Sequence, residues 1–125
     1  MKFASVRLVT KNIEPLVAFY RTLTGVEPER PNPAYAHFGF GTAALDISSE
    51  DLVRQFNAGA AQGGANRSAI IEFEVDDVDA VKTRLGDSVT YAMPPTDMPW
   101  GNRSMLLHDP EGNVINVFKR PNRSA

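Results

Sequence analysis

The sequence contains no cysteine. That single absence excludes disulfide frameworks, thiolate zinc sites, iron–sulfur clusters and cysteine nucleophiles. Histidine is nearly as scarce, with two residues, His37 and His108, in a chain of 125. Neither has a metal-ligating neighbour at i+2 or i+4, so each reads as a satisfied structural residue. An excess of either charge is also lacking, since 13 Lys and Arg face 15 Asp and Glu for a net charge of −2. Nucleic acids and anionic lipids are held by clustered cations that release counterions. The short tail Lys119, Arg120, Arg123 is no such cluster, and neither partner is expected. There is no long hydrophobic run either. The apolar N-terminal stretch is broken by Arg7 and Lys11, so it reads as neither signal peptide nor membrane span, and a soluble, cytoplasmic protein is the expectation. Asn-Arg-Ser triplets begin at Asn66, Asn102 and Asn122, but they matter as glycan acceptors only in secreted chains and read as coincidence. What remains is an ordinary globular composition, 42% hydrophobic, at a length that suits one compact domain.

The patterning is α+β. Residues 3–10 alternate as a strand, with Val6 and Leu8 on one face and Ser5, Arg7 and Val9 on the other. Asn12 caps a helix with Pro15 in its first turn, an apolar stripe of Leu16, Phe19, Tyr20 and Leu23, and a stop at Gly25. The Pro-rich connection Pro28 to Pro33 leads to short strands near Tyr35–Phe40 and Ala43–Ile47. A brief helix with Leu52, Val53 and Phe56 follows Ser48 and Ser49. The Gly- and Ala-rich stretch 58–66 reads as a flexible linker. The pattern then restarts. Ile70 to Val75 form a strand, Asp77 caps a helix carrying Val78, Val81 and Leu85, and Gly86 stops it. Strands are expected at Val89–Ala92, Arg103–Leu107 and Val114–Phe118. A Pro-rich loop, Pro94 to Gly101, lies before the last two, and the turn Asp109-Pro110-Glu111-Gly112-Asn113 joins them. Aligning Asn12 with Asp77 sets Ser5 on Ile70, Arg7 on Glu72 and Leu8 on Phe73. The chain therefore reads as a duplication, module one at about 1–57 and module two at about 67–120. The alternative is a generic α+β domain with chance similarity.

Asn12-Ile13-Glu14 with Phe19-Tyr20 and Gly25, then Phe73-Glu74-Val75-Asp76-Asp77-Val78, Pro99-Trp100-Gly101 and Asp109-Pro110-Glu111-Gly112-Asn113, resemble the glyoxalase, bleomycin-resistance and extradiol-dioxygenase superfamily. The match covers nearly the whole chain, in order. The resemblance implies two βαβββ modules whose sheets curl into a cup around a ligand or metal, and pairing of two chains into a homodimer. Family enzymes typically hold a divalent metal with a histidine on the first strand of each module and a carboxylate on a last strand. Carried over, those positions hold Ser5, Ile70 and Asn116, a hydroxyl, an alkyl group and a neutral amide. The corresponding first-module acid position falls at Leu45 or Asp46. Family-type metal catalysis is disfavoured, and no metal, no cofactor and no catalytic residue is assigned.

Strand alternation turns Ser5, Arg7, Ile70 and Glu72 toward the cup. Arg7 and Glu72 occupy equivalent places and are expected to pair, either filling space or recognising a ligand. Trp100 is reminiscent of an aromatic groove in antibiotic-binding members, the alternative being a core clamp for its loop. The expected ligand-binding set is Ser5, Arg7, Phe40, Ile70, Glu72, Met93, Trp100 and Asn116. The expected function is metal-free binding of an aromatic or antibiotic-like small molecule. The alternative is a superfamily lyase, isomerase or dioxygenase that uses Glu72 as acid/base or a misassigned metal site.

Overall fold

The computed structural model describes residues 1–121, so Arg123 and the Asn122 triplet lie outside the described residues. Two compact units divide at Asn66 and Arg67. Module one contains β1 (Ser5–Thr10), α1 (Ile13–Thr24), β2 (Tyr35–Gly39), β3 (Ala44–Ser49) and α2 (Glu50–Phe56). Module two contains β4 (Ile70–Glu74), α3 (Val78–Leu85), β5 (Thr90–Asp97), β6 (Arg103–His108) and β7 (Val114–Lys119). The sheet orders are β1-β3-β2 and β4-β7-β6-β5, each with its first strand parallel to its last.

The orders superimpose once the strand before β2 is accounted for. Module one carries there only an isolated bridge between Glu29 and His37, closed by two backbone hydrogen bonds of 2.8 and 2.9 Å. The expected fourth strand is thus reduced to one residue. Pro28, Pro31 and Pro33 explain it, because a residue without an N–H cannot continue a ladder. In module two the opposite happens: β5 runs through Pro94 and Pro95, shortening the expected loop. It does so as an edge strand with register shifts against β6, where missing donors are tolerated.

In module one the stripe Leu16, Val17, Tyr20 and Leu23 of α1 is buried, as are Ala36, Phe38, Leu45 and Ile47 of the sheet. Tyr20 meets Phe38 and Phe19 edge-on, at ring separations of 6.3 and 5.0 Å. Val6, which strand alternation sets on the same face as Leu8, is exposed, while Leu8 and Thr10 further along β1 are buried. Asn12 has extended N-cap backbone but makes no side-chain cap bond; the Thr10 hydroxyl accepts from its N–H instead. Gly25 ends α1 in the left-handed conformation, its N–H donating to the Arg21 carbonyl. Ser49 caps α2 by accepting from Leu52 N–H.

In module two Val78, Val81 and Leu85 of α3 are buried, together with Met105, Leu107, Ile115 and Val117 of the sheet. Asp77 caps the helix through Ala80 N–H. The Asp109 to Asn113 turn is a buried polar knot. Asp109 Oδ1 accepts from the N–H groups of Glu111 and Asn113, and Oδ2 accepts from the Asn113 amide at 2.7 Å. This turn motif is therefore structural, locking β6 to β7. The 58–66 stretch is anchored as well: Gly63 N–H donates to Glu50 Oε2 at 2.6 Å, and a Cβ at Gly63 would lie 3.0 Å from Thr10 Cα and Lys11 N.

Candidate functional site

Each sheet buries one face under its helix, which leaves the other face as the candidate site. On module one that second face carries a cross-strand row. Arg7 lies opposite Asp46, Asp46 opposite His37, and His37 opposite Glu29. Tyr35, two residues before His37, shares the face. Asp46 is the hub: its Oδ2 accepts from Tyr35 Oη at 2.5 Å and its Oδ1 meets His37 Nδ1 at 2.7 Å. Leu45 is in the core and Asp46 on the open face, which settles which of the two matches Asn116.

His37, read from sequence as a satisfied structural residue with no ligating neighbour at i+2 or i+4, is half of an imidazole–carboxylate pair. The i+2 and i+4 test looks along one strand, whereas this partner comes from the next. Folding the hairpin about Gly41 and Thr42 sets His37 opposite Asp46, and that signal was available in the sequence. Burial, the Asp46 hydrogen bond and the Asp46 charge push the Tyr35 phenol up to about 12, against a smaller opposing effect of Arg7. Tyr35 therefore stays a protonated donor to Asp46. Tyr35, His37 and Asp46, with Glu29, Arg30 and Pro31, line a cavity of about 480 Å³, within the range of small-molecule sites. Of the expected site residues, Arg7 directs Nη2 to Asn57 Oδ1 at 2.8 Å, and Ser5 lies exposed at the start of β1. Phe40, in the turn after β2, is partly exposed.

Module two repeats the geometry with different chemistry. Glu72, Asn116, Leu106 and Met93 form a row across β4, β7, β6 and β5. Asn116 Nδ2 donates to Glu72 Oε2 at 2.8 Å, while its Oδ1 is buried without a partner. Ile70 shares this face and is exposed. Three expected residues, Glu72, Asn116 and Met93, are thus brought onto one row, and Leu106 is the member the sequence reading missed. Arg7 and Glu72 each direct their hydrogen bond to a residue of their own module. Trp100 is 68% exposed, on a tight turn closed by Met98 N–H to Asn102 O and Gly101 N–H to Met98 O. It is not a core clamp.

Two βαβ-based modules, each pairing its first strand in parallel with its last, define a class of duplicated α+β proteins. The sequence profile of the Glyoxalase/Bleomycin resistance protein/Dioxygenase superfamily matches residues 2–117, and the chain belongs to that superfamily. Similar solved structures include a glyoxalase/bleomycin resistance protein/dioxygenase family enzyme from Burkholderia phytofirmans PsJN, at TM-score 0.80 and 18% identity, covering 95% of this chain and 98% of that one. A glyoxalase/bleomycin resistance protein/dioxygenase from Nocardioides gives 0.78 and 23%, covering 99% and 86%. A glyoxalase-related enzyme from Fulvimarina pelagi gives 0.82 and 18%, covering 96% and 88%. At these identities the likeness shows the fold alone. Comparison with curated proteins gave no match.

The residues do not fit the metal of the superfamily's enzymes. The resemblance sets Ser5, Ile70 and Asn116 at three donor positions, and the remaining acid, Asp46, already accepts from Tyr35 and His37. Among the described residues no three His, Asp or Glu side chains converge to hold an ion. Zinc, nickel and iron(II) sites need convergent imidazole and carboxylate donors.

Proposed function

We propose that this protein is a small-molecule binding member of the superfamily that works by enclosing an organic ligand rather than through a bound metal. The observation that carries this reading is the donor set: metal ligands are replaced while the open faces keep polar and apolar groups suited to a ligand. The contacts we assign are Ser5, Arg7 and Phe40 on module one, and Ile70, Glu72, Met93, Asn116 and Trp100 on module two. The exposed Trp100 ring offers a face for a flat aromatic or antibiotic-like molecule. A symmetric homodimer belongs to the same proposal, because open sheet edges favour pairing.

A thermal-shift screen against planar antibiotics, aromatic acids and aromatic amines tests the reading, since a ligand of the native state raises apparent stability. Stabilisation by at least one class is expected. Stabilisation by a divalent metal alone, at one equivalent, contradicts it. One observation favours a second reading, a metal-independent enzyme. The His37–Asp46 pair has the geometry of an oriented general base, a role sequence reasoning had given to Glu72. Turnover of a ligand found in the screen, lost in His37→Gln, would establish that reading.

A further inference from the structure

The proton arrangement of the module-one cavity selects the ligand's charge. An ionised carboxylate only accepts hydrogen bonds, so Asp46 takes one proton from Tyr35 Oη and one from His37 Nδ1. With a single proton on the His37 ring, that proton sits on Nδ1 toward Asp46 and leaves Nε2 as a bare acceptor. Nε2 lies above Gly39, where even an added Cβ would come no closer than 3.5 Å. Glu29 lines the same cavity from the bridge opposite His37, and among the described residues no side chain donates to its carboxylate. The one guanidinium in the lining, Arg30, has four of its five N–H donors engaged within the protein. It donates to Glu14 through two nitrogens at 3.0 and 3.2 Å, and to the carbonyls of Tyr35 and Pro33 at 2.8 and 3.0 Å. Its charge is thereby offset by Glu14. Apart from the last Arg30 N–H, the groups left to meet a ligand are acceptors, and the uncompensated charge is negative. Pro31 and the Tyr35 ring add an apolar wall, and an aromatic face also attracts cations.

We propose that this cavity binds the protonated amine of a small organic cation, with the Glu29 carboxylate and His37 Nε2 accepting its N–H groups. This inference rests on the small-molecule binding reading and narrows it to a ligand class. An organic anion would face the Glu29 and Asp46 carboxylates with one lining N–H, on Arg30, left to donate to it.

The test is an amide chemical-shift titration of the isotope-labelled full chain with benzylamine, benzyl alcohol and benzoate. It is run at mildly alkaline pH, where a free imidazole is neutral and an alkylamine still charged. Benzylamine is expected to shift residues around Glu29, Tyr35 and His37, and benzoate to leave them in place. Glu29→Gln should weaken benzylamine about tenfold, the scale of one charge-assisted hydrogen bond. Glu27→Gln makes the same charge change at a side chain paired with Arg21, outside the cavity lining, and should leave affinity unchanged. Equal binding of benzoate overturns the proposal, as does equal weakening in the two variants. Silence of benzylamine while flat acids or neutral aromatics bind overturns it and leaves the binding reading standing. Silence of the whole panel overturns both.

Discussion

Replacing Asp46 by Asn removes a charge but almost no volume, so it isolates what the hub carboxylate does. Asp46 is 8% exposed and accepts two hydrogen bonds, from Tyr35 Oη and His37 Nδ1. An amide offers one acceptor oxygen in its place, and its NH2 then faces the second donor. One bond is lost, and the other falls from charge-assisted to neutral strength, a loss of about 2–3 kcal/mol in all. With an unfolding entropy of roughly 2 cal/mol/K per residue, the melting temperature should fall by about 8–12 °C. A second readout is specific to the network. Burial is the largest cause of the raised Tyr35 phenol and survives the substitution, whereas the Asp46 hydrogen bond and charge do not. The phenol should therefore titrate below about 12 in the variant while staying above an ordinary tyrosine. Because its folded value is raised, Tyr35 contributes stability that is complete below about pH 10 and is lost as pH climbs toward its folded value. In the variant that alkaline loss should shrink. Carbon NMR of ring-labelled tyrosine resolves Tyr35 from the others and follows both effects. An unchanged Tyr35 titration with an unchanged melting temperature would refute the hub assignment.

Trp100→Ala should leave folding nearly intact, because the ring is 68% exposed, yet weaken a bound aromatic by roughly 1–3 kcal/mol, measured by calorimetry. Gly63→Ala should destabilise by about 1–3 kcal/mol in urea melts, since the new Cβ meets backbone atoms of Thr10 and Lys11 at 3.0 Å and these have no flexible end to yield. The Arg103 guanidinium grips Asp79 through two nitrogens, at 2.8 and 2.9 Å, and holds its carboxyl below the ordinary 3.8. That stability is complete above the ordinary value and is lost as pH falls through the lower folded one, so Arg103→Met should flatten the acid limb of stability against pH. Sedimentation at tens of micromolar, a concentration where moderate self-association is populated, should give a dimer; a monomer contradicts the pairing proposal.

What was legible in the sequence was whatever a single residue decides. Gly25 and Gly86 end helices, Ser49 and Asp77 begin them, and the Asp109 to Asn113 turn announces itself because its side chains bond its own backbone. The repeat was legible for the same reason, since matching caps fixed the alignment, whereas the cross-strand neighbours Arg7–Asp46 and Glu72–Asn116 come from register, and the alignment had suggested Arg7 with Glu72 instead. Features made by register were harder. The His37–Asp46 pair exists only once the hairpin closes, and β5 passes through two prolines because it is an edge strand. Glu29 could not be singled out at all. A one-residue bridge between prolines has no periodicity, yet it delivers the carboxylate to the cavity.

The central claim is that the open sheet faces bind a small organic molecule without the superfamily's metal. Amide-shift mapping of the labelled chain, first with zinc, nickel and iron(II) and then with the organic panel, tests it most directly. The account predicts no stoichiometric response to metal. With an organic ligand it predicts shifts confined to the open faces, around Glu29, Tyr35, His37 and Asp46 or along the Glu72–Asn116 row with Trp100. A one-equivalent metal response at Asp46, His37 or Glu72, or organic ligands that shift only the helical faces, would contradict it.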